Sequence, residues 1–144
     1  MFLLGGCSKS KEAGSLADMK LETMMQEVYK GIDENELPSL TTIPVTDENL
    51  SYMLGVSSLD YEEALASEPM MNAQAHSVVL VRMKKGADIE KAKKDIKEKV
   101  DPRKWICVGV EEKDVIVDSR DNVILLVMVN DYAKQIQKNF QNIK

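Results

Sequence analysis

The run Val78-Val79-Leu80-Val81 holds four apolar residues, three of them β-branched, with no polar interruption. No other feature of the chain narrows its possible folds so much. A strand with one wet face alternates apolar and polar residues, whereas an unbroken run stays out of water only when both faces are covered. Ala75 to Met83 therefore reads as a central strand. Val123 to Val129 is a second such run with no turn residue inside it, and it is expected to pair with the first in the middle of one sheet.

The remaining segments supply covers and edges. Ala17, Leu21, Met24, Met25, Val28 and Ile32 recur at spacings of three and four, which makes one stripe of a helix stopped near Gly31. Leu40 to Val45 is β-leaning but contains Pro44, so it is expected at an edge. Thr46 is placed to cap a brief helix through Leu50, Met53 and Leu54, closed by Gly55. Leu59, Tyr61, Glu63 and Leu65 alternate as a strand does, and Ser67 to Asn72 is expected to break it and lead irregularly into the central strand.

Asp88 caps a helix running to Val100, with Ile89, Ala92, Ile96 and Val100 along its buried edge and Glu90–Lys94 and Asp95–Lys99 spaced as ion pairs. Val115 to Val117 is expected to meet Val123 to Val129 through a turn at Arg120-Asp121-Asn122, with Asp118 to Asp121 outside the strands. A closing helix from Asp131 buries Ala133, Ile136, Phe140 and Ile143. The chain thus twice reads strand, strand, helix. The predicted class is α+β, a two-layer fold with a mostly antiparallel sheet of about four to five strands and helices packed on it.

A length of 144 residues with 44% hydrophobic content suits one globular domain, assigned to residues 17–144, behind an N-terminal segment of residues 1–16. The net charge of −5 is unevenly spread. Glu12 to Glu68 carries thirteen acids against two lysines, whereas Pro69 to Lys144 carries fifteen bases against eleven acids. An acidic balance with few aromatics argues against nucleic acid as a partner, because phosphate binding needs a basic stripe. Mixed charge of this kind reads first as solvated surface, with an acidic patch for a cationic partner as the sharper reading.

Leu4-Gly5-Gly6-Cys7 resembles the lipobox of bacterial lipoprotein signals, in which cleavage falls just before a cysteine whose sulfur carries a diacylglyceryl group. Ser8 to Ser15 then reads as a polar tether. Only Phe2, Leu3 and Leu4 precede the glycines, short of the apolar core a signal needs, so the start read here is expected to fall inside a longer signal peptide. Lipidation at Cys7 would place the domain on the outer face of the cell membrane. No segment holds the run of roughly 20 apolar residues that a membrane-spanning helix requires.

Leu54-Gly55, Leu59-Asp60-Tyr61, Ser67-Glu68-Pro69-Met70-Met71, His76 to Val81 and Pro102-Arg103-Lys104-Trp105-Ile106 together resemble a family of small lipoproteins from Gram-positive anaerobes, known as a domain of unknown function. The resemblance runs from about Ala17 to Lys144. It implies a membrane-tethered extracytoplasmic domain and no activity.

Few residues suggest chemistry. His76 is the single histidine, and there is no Cys-x-x-Cys pair, so neither a two-histidine metal site nor a zinc ribbon is available. His76 reads as a packed histidine; as a proton acceptor near Glu68 and Arg103 it would need two loops to converge. Cys107 between Ile106 and Val108 reads as a small buried hydrophobe. Arg103 and Lys104 beside Trp105 could receive an anion or a sugar ring, although a core tryptophan flanked by wet cations explains them as well. No phosphate loop or nucleophile elbow is present, and no cofactor is implied. The chain reads as a non-enzymatic lipoprotein that binds an envelope protein or a wall component. The alternative is a small-molecule (solute) binder using Met70, Met71, His76, Arg103 and Trp105.

Overall fold

The computed structural model describes residues 15–144. Cys7, the lipobox-like run and the tether expected ahead of Ser15 lie outside the described residues. Five strands, β1 (Leu40–Pro44), β2 (Tyr61–Pro69), β3 (His76–Met83), β4 (Val115–Arg120) and β5 (Val123–Val129), form one sheet in the order β1-β2-β3-β5-β4. Every neighbouring pair is antiparallel. Four α-helices accompany it: α1 (Leu21–Val28), α2 (Leu50–Leu54), α3 (Ile89–Lys99) and α4 (Ala133–Gln141).

The two apolar runs lie side by side as expected, with Val79 opposite Leu126 and Val81 opposite Ile124, and every residue of β3 and β5 is buried. The α+β class and the antiparallel sheet match the sequence reading. The helices divide between the two faces, which adds a third layer. Ala66, Val79, Val81, Ile124 and Leu126 meet α2 and α3 on one face. Leu65, Val78, Leu80, Leu125 and Val127 meet α1 and α4 on the other. An unbroken apolar run demands this double cover, because in a strand alternate side chains point to opposite faces.

Local chemistry accounts for two helix ends, whereas α2 starts at Asn49 without a side-chain cap and not at Thr46 as expected. The Asp88 carboxylate accepts from the Lys91 N–H at 3.1 Å and caps α3. Gly55 closes α2 in the left-handed region, φ 77°, and a Cβ there would lie 2.4 Å from the carbonyl carbon and oxygen of Lys99. Close approach of α2 to the end of α3 therefore requires glycine.

Three expectations need correction. Ser67-Glu68-Pro69 does not break β2 but completes it, pairing with Thr42, Thr41 and Leu40 of the edge strand; a terminal position tolerates proline. Asp118 to Arg120 belongs to β4 and pairs with Leu125 to Val123, so the reversal falls on Asp121, at φ 56°, and Asn122. The ion pairs of α3 are Lys93–Glu90 and Lys91–Asp95, so Glu90 pairs one residue short of Lys94 and Asp95 pairs with the lysine four before it instead of Lys99.

The ordered body also takes in Leu16, which is fully buried just ahead of the Ala17 boundary. Arg82 on β3 holds this segment. Its guanidinium donates to the carbonyls of Leu16, Ala17 and Met19, and its Nε donates to Glu63 at 2.9 Å.

Candidate functional site

Polar residues enter the buried sheet where β2 ends and β3 begins. Strand alternation sends Ser67 and His76 to the α1 face, and Glu68 and Ser77 to the α2/α3 face. Two separate polar clusters result, back to back across the sheet.

On the first face Tyr29, just beyond α1, donates its hydroxyl to Ser67 Oγ at 2.9 Å and shares a 2.7 Å hydrogen bond with His76 Nε2. The imidazole tautomer sets the sense of that second bond. The Tyr29 and His76 rings stack, with centroids 5.9 Å apart and planes 15° from parallel. Burial lowers the His76 pKa to about 4, so the ring is neutral at pH 7. Burial also raises the Tyr29 phenol well above its usual range; the bond to Ser67 opposes this and the Glu68 charge adds to it.

On the second face Ser77 donates to a Glu68 carboxylate oxygen, and the Lys104 ammonium donates to the same oxygen at 2.8 Å. The Lys104 and Glu68 side chains are 3% and 6% exposed. The Lys104 Nζ lies 4.3 Å from the Tyr52 ring centroid and 5.4 Å from that of Trp105. Burial lowers the pKa of Lys104, with the charge and hydrogen bond of Glu68 opposing the shift. An ammonium held by a carboxylate and two aromatic faces is satisfied without water.

The two loops do converge as His76 chemistry would require, since the Ile106 N–H donates to the Asn72 carbonyl at 2.9 Å. The partners differ from the expected ones. Lys104 reaches Glu68, Arg103 is exposed and lies over Gly109, and His76 sits on the far face of the sheet. Trp105 is buried in the α2/α3 core with its Nε1 unpartnered among the described residues. The five residues assigned to a small-molecule site thus divide between an exposed turn (Met70, Met71), an exposed loop (Arg103) and two opposite cores (His76, Trp105).

Cys107 is a further correction: it is exposed, at φ 60°. With Trp105 turned inward and the Ile106 amide bound to Asn72, the chain reverses at a left-handed residue, which points its thiol outward.

Tyr29, Ser67, Ser77 and Tyr52 were not anticipated. Ser67 and Ser77 left one signal, since polar residues inside strands read as buried need partners. Tyr29 lies four residues beyond Met25, on the same helical stripe, but nothing local announces His76 as its neighbour.

Several exposed apolar residues lie close to the Glu68–Lys104 pair in sequence or by contact, among exposed polar neighbours such as Asn72, Gln74 and Arg103. Tyr52, Met70, Met71 and Ile106 are the large hydrophobic residues left exposed among the described residues, at 46%, 67%, 66% and 63%. Met70 and Ile106 each follow a member of the ion pair by two positions, and Tyr52 contacts Lys104 directly. A separate groove of about 600 Å³, lined by Tyr29, Ile32, Leu37, Pro38 and Leu40, runs between α1 and β1. Among the described residues no helix is long and apolar enough to cross a membrane, and no group of three His, Cys, Asp or Glu could hold a metal ion.

A helix-clad antiparallel sheet with closed polar clusters at one end defines an α+β domain. The chain belongs to the family described as Domain of unknown function (DUF4358), which matches residues 36–129. That span takes in all five strands with α2 and α3, and leaves Tyr29 and α4 outside. No curated protein and no solved structure matches the chain.

Proposed function

We propose that this protein is a lipoprotein of the extracytoplasmic membrane face, anchored through Cys7, whose globular domain is a non-catalytic module binding another envelope protein. One observation carries the binding role: among the described residues the exposed large hydrophobic side chains are Tyr52, Met70, Met71 and Ile106, which lie near the Glu68–Lys104 pair in sequence or by contact. Apolar surface grouped in this way marks contact sites in soluble domains. The serines that could serve as nucleophiles, Ser67 and Ser77, are buried and already hydrogen-bonded, which favours a structural role for both clusters.

The anchor rests on Leu4-Gly5-Gly6-Cys7 and is tested separately. Expressed from its own locus and fed a labelled fatty acid, the protein should take up label and sediment with membranes, and Cys7→Ser should abolish both. A Cys7→Ser protein that stays labelled and membrane-bound rules the anchor out.

A second reading, solute binding, is favoured by the groove beside Tyr29 rather than by the residues first assigned to it. A ligand at a hundred times its Kd should raise stability by about 2.7 kcal/mol. Unchanged melting against amino acids, short peptides and sugars retires this reading.

A further inference from the structure

The outer edge of β1 is open where that of β4 is closed. The Val45 N–H donates to the Ala64 carbonyl at 2.9 Å, and the Met70 N–H to the Ser39 carbonyl at 2.8 Å. Residues 39, 41, 43 and 45 therefore turn their backbone groups toward β2, and Leu40, Thr42 and Pro44 turn theirs outward. Pro44 has no N–H, and its carbonyl accepts from the Asn49 side chain at 3.1 Å. The backbone groups of Leu40 and Thr42 make no hydrogen bond among the described residues. On β4, by contrast, Val115 is bonded to Glu112 and Lys97, and Ser119 to Asp118 and Gln141.

The groove beside Tyr29 lies against this open stretch. Leu40 and Thr42 pair with Pro69 and Ser67, so their side chains share the α1 face with Ser67. On that face Tyr29, Ile32, Leu37, Pro38 and Leu40 line about 600 Å³, and Glu34 is the one charged residue lining it. Glu34 and its neighbour Asp33 make no ion pair among the described residues. A strand added at this edge sets the side chain opposite Leu40 on the same face, against the apolar wall. The Met70–Ser39 bond also places the exposed Met70 beside the start of β1, so the groove and the apolar residues of the β2–β3 turn adjoin.

We propose that β1 and the groove beside it take an extended, cationic segment of the partner protein. The segment adds to the sheet through Leu40 and Thr42, buries an apolar side chain among Tyr29, Ile32 and Leu37, and sets a lysine or arginine against Glu34. This occupant presupposes the binding role proposed above and gives the partner its form. Unpaired amides and carbonyls select a polypeptide, and the unpaired carboxylates select a basic one. Pro38 and Pro44 confine the ladder to the stretch between them, so the groove must supply the rest of the grip. A second copy of this chain is the poorer occupant: β1 against β1 brings two acidic turns together, and the β4 edge is already bonded.

The test uses the full chain and a fluorescein-labelled peptide, Lys-Thr-Leu-Thr-Leu-Thr-Lys, read by fluorescence anisotropy. Saturable binding that weakens with added salt is expected, and replacing the peptide's lysines by glutamates should weaken it by about tenfold or more. Methylating alternate backbone nitrogens of the peptide keeps its charge and blocks strand pairing, with a loss of similar size expected. Thr42→Pro removes an outward N–H that β2 does not use, and should weaken binding likewise while keeping the circular dichroism of the wild type. Absence of saturable binding, or equal binding of the methylated peptide, of the glutamate peptide or by Thr42→Pro, overturns the proposal. Self-association seen by sedimentation and lost in Thr42→Pro, without peptide binding, overturns it in favour of a second copy. In cells, a photo-crosslinking amino acid at Thr42 should give the same protein adduct as one at Met71. An adduct from Met71 alone overturns strand addition and leaves the binding role standing, whereas no adduct from either position overturns both.

Discussion

His76 shows how a single residue takes its chemistry from where it is buried. Its pKa is about 4 in the folded protein and near 6.5 when unfolded, so the unfolded chain binds the extra proton between those values. Stability from the neutral ring is therefore complete above pH 6.5 and falls as the pH drops toward 4, by up to about 3 kcal/mol, then levels off. Urea unfolding of the wild type and His76→Gln across this range should show the wild type losing about that much more stability than the variant; parallel curves would place His76 in contact with water. Sequence showed that this histidine sits at the mouth of a buried strand, but not which side it faces, because Tyr29 approaches from 47 positions away. Cys107 was misread for a related reason. Flanking Ile106 and Val108 suggest burial, whereas a turn at φ 60° turns the thiol out. A small alkylating reagent should modify it under native conditions as fast as in the unfolded chain, and protection until unfolding would contradict the exposed placement.

At the scale of elements, the strands and helices were legible wherever periodicity was strong. β3, β5, α3 and the β4–β5 hairpin follow from apolar runs and one capping aspartate. The long-range ties were not legible, because a lysine that closes a buried pair reads locally like any surface lysine. Lys104 fastens the loop after α3 to the β2–β3 hairpin through Glu68. Lys104→Met alone leaves a buried carboxylate without its cation and should cost about 3 to 5 kcal/mol, whereas adding Glu68→Leu should restore much of that loss. Thermal or urea unfolding of both single variants and the double variant measures the coupling; additive losses would show that the pair does not act as a unit. Gly55 ties α2 to the end of α3 in a different way. Gly55→Ala places a methyl group against the Lys99 backbone and requires an alanine at φ 77°, which should cost about 3 kcal/mol or more. A loss below about 0.5 kcal/mol would mean that the two helices separate easily.

At the scale of the whole molecule, the sheet separates jobs that sequence alone had merged. Its centre buries both long apolar runs, its β2–β3 end carries the closed polar clusters, and its apolar rim lies beside them. The acidic half supplies the β1–β2 edge of the sheet and the basic half supplies the β4 edge, while the helices from the two halves pack on one another, α1 with α4 and α2 with the end of α3. The order β3-β5-β4 follows from the pairings expected of the two apolar runs and the β4–β5 hairpin. The five residues first grouped as a ligand site were near one another in sequence or loop position, yet a sheet one residue thick divides His76 from Trp105. Exposed Met70, Met71 and Ile106 survive from that region as surface suited to a protein partner.

The apolar end is proposed to meet another envelope protein in the cell. A photo-crosslinking amino acid at Met71 or Ile106, compared with one at Lys85 beyond the opposite end of β3, tests it most directly. The same discrete protein adduct is expected from both apolar positions and none from Lys85, with the adduct lost when Met70 is changed to Glu. Identical patterns from all three positions, or no protein adduct at either apolar position, would contradict it.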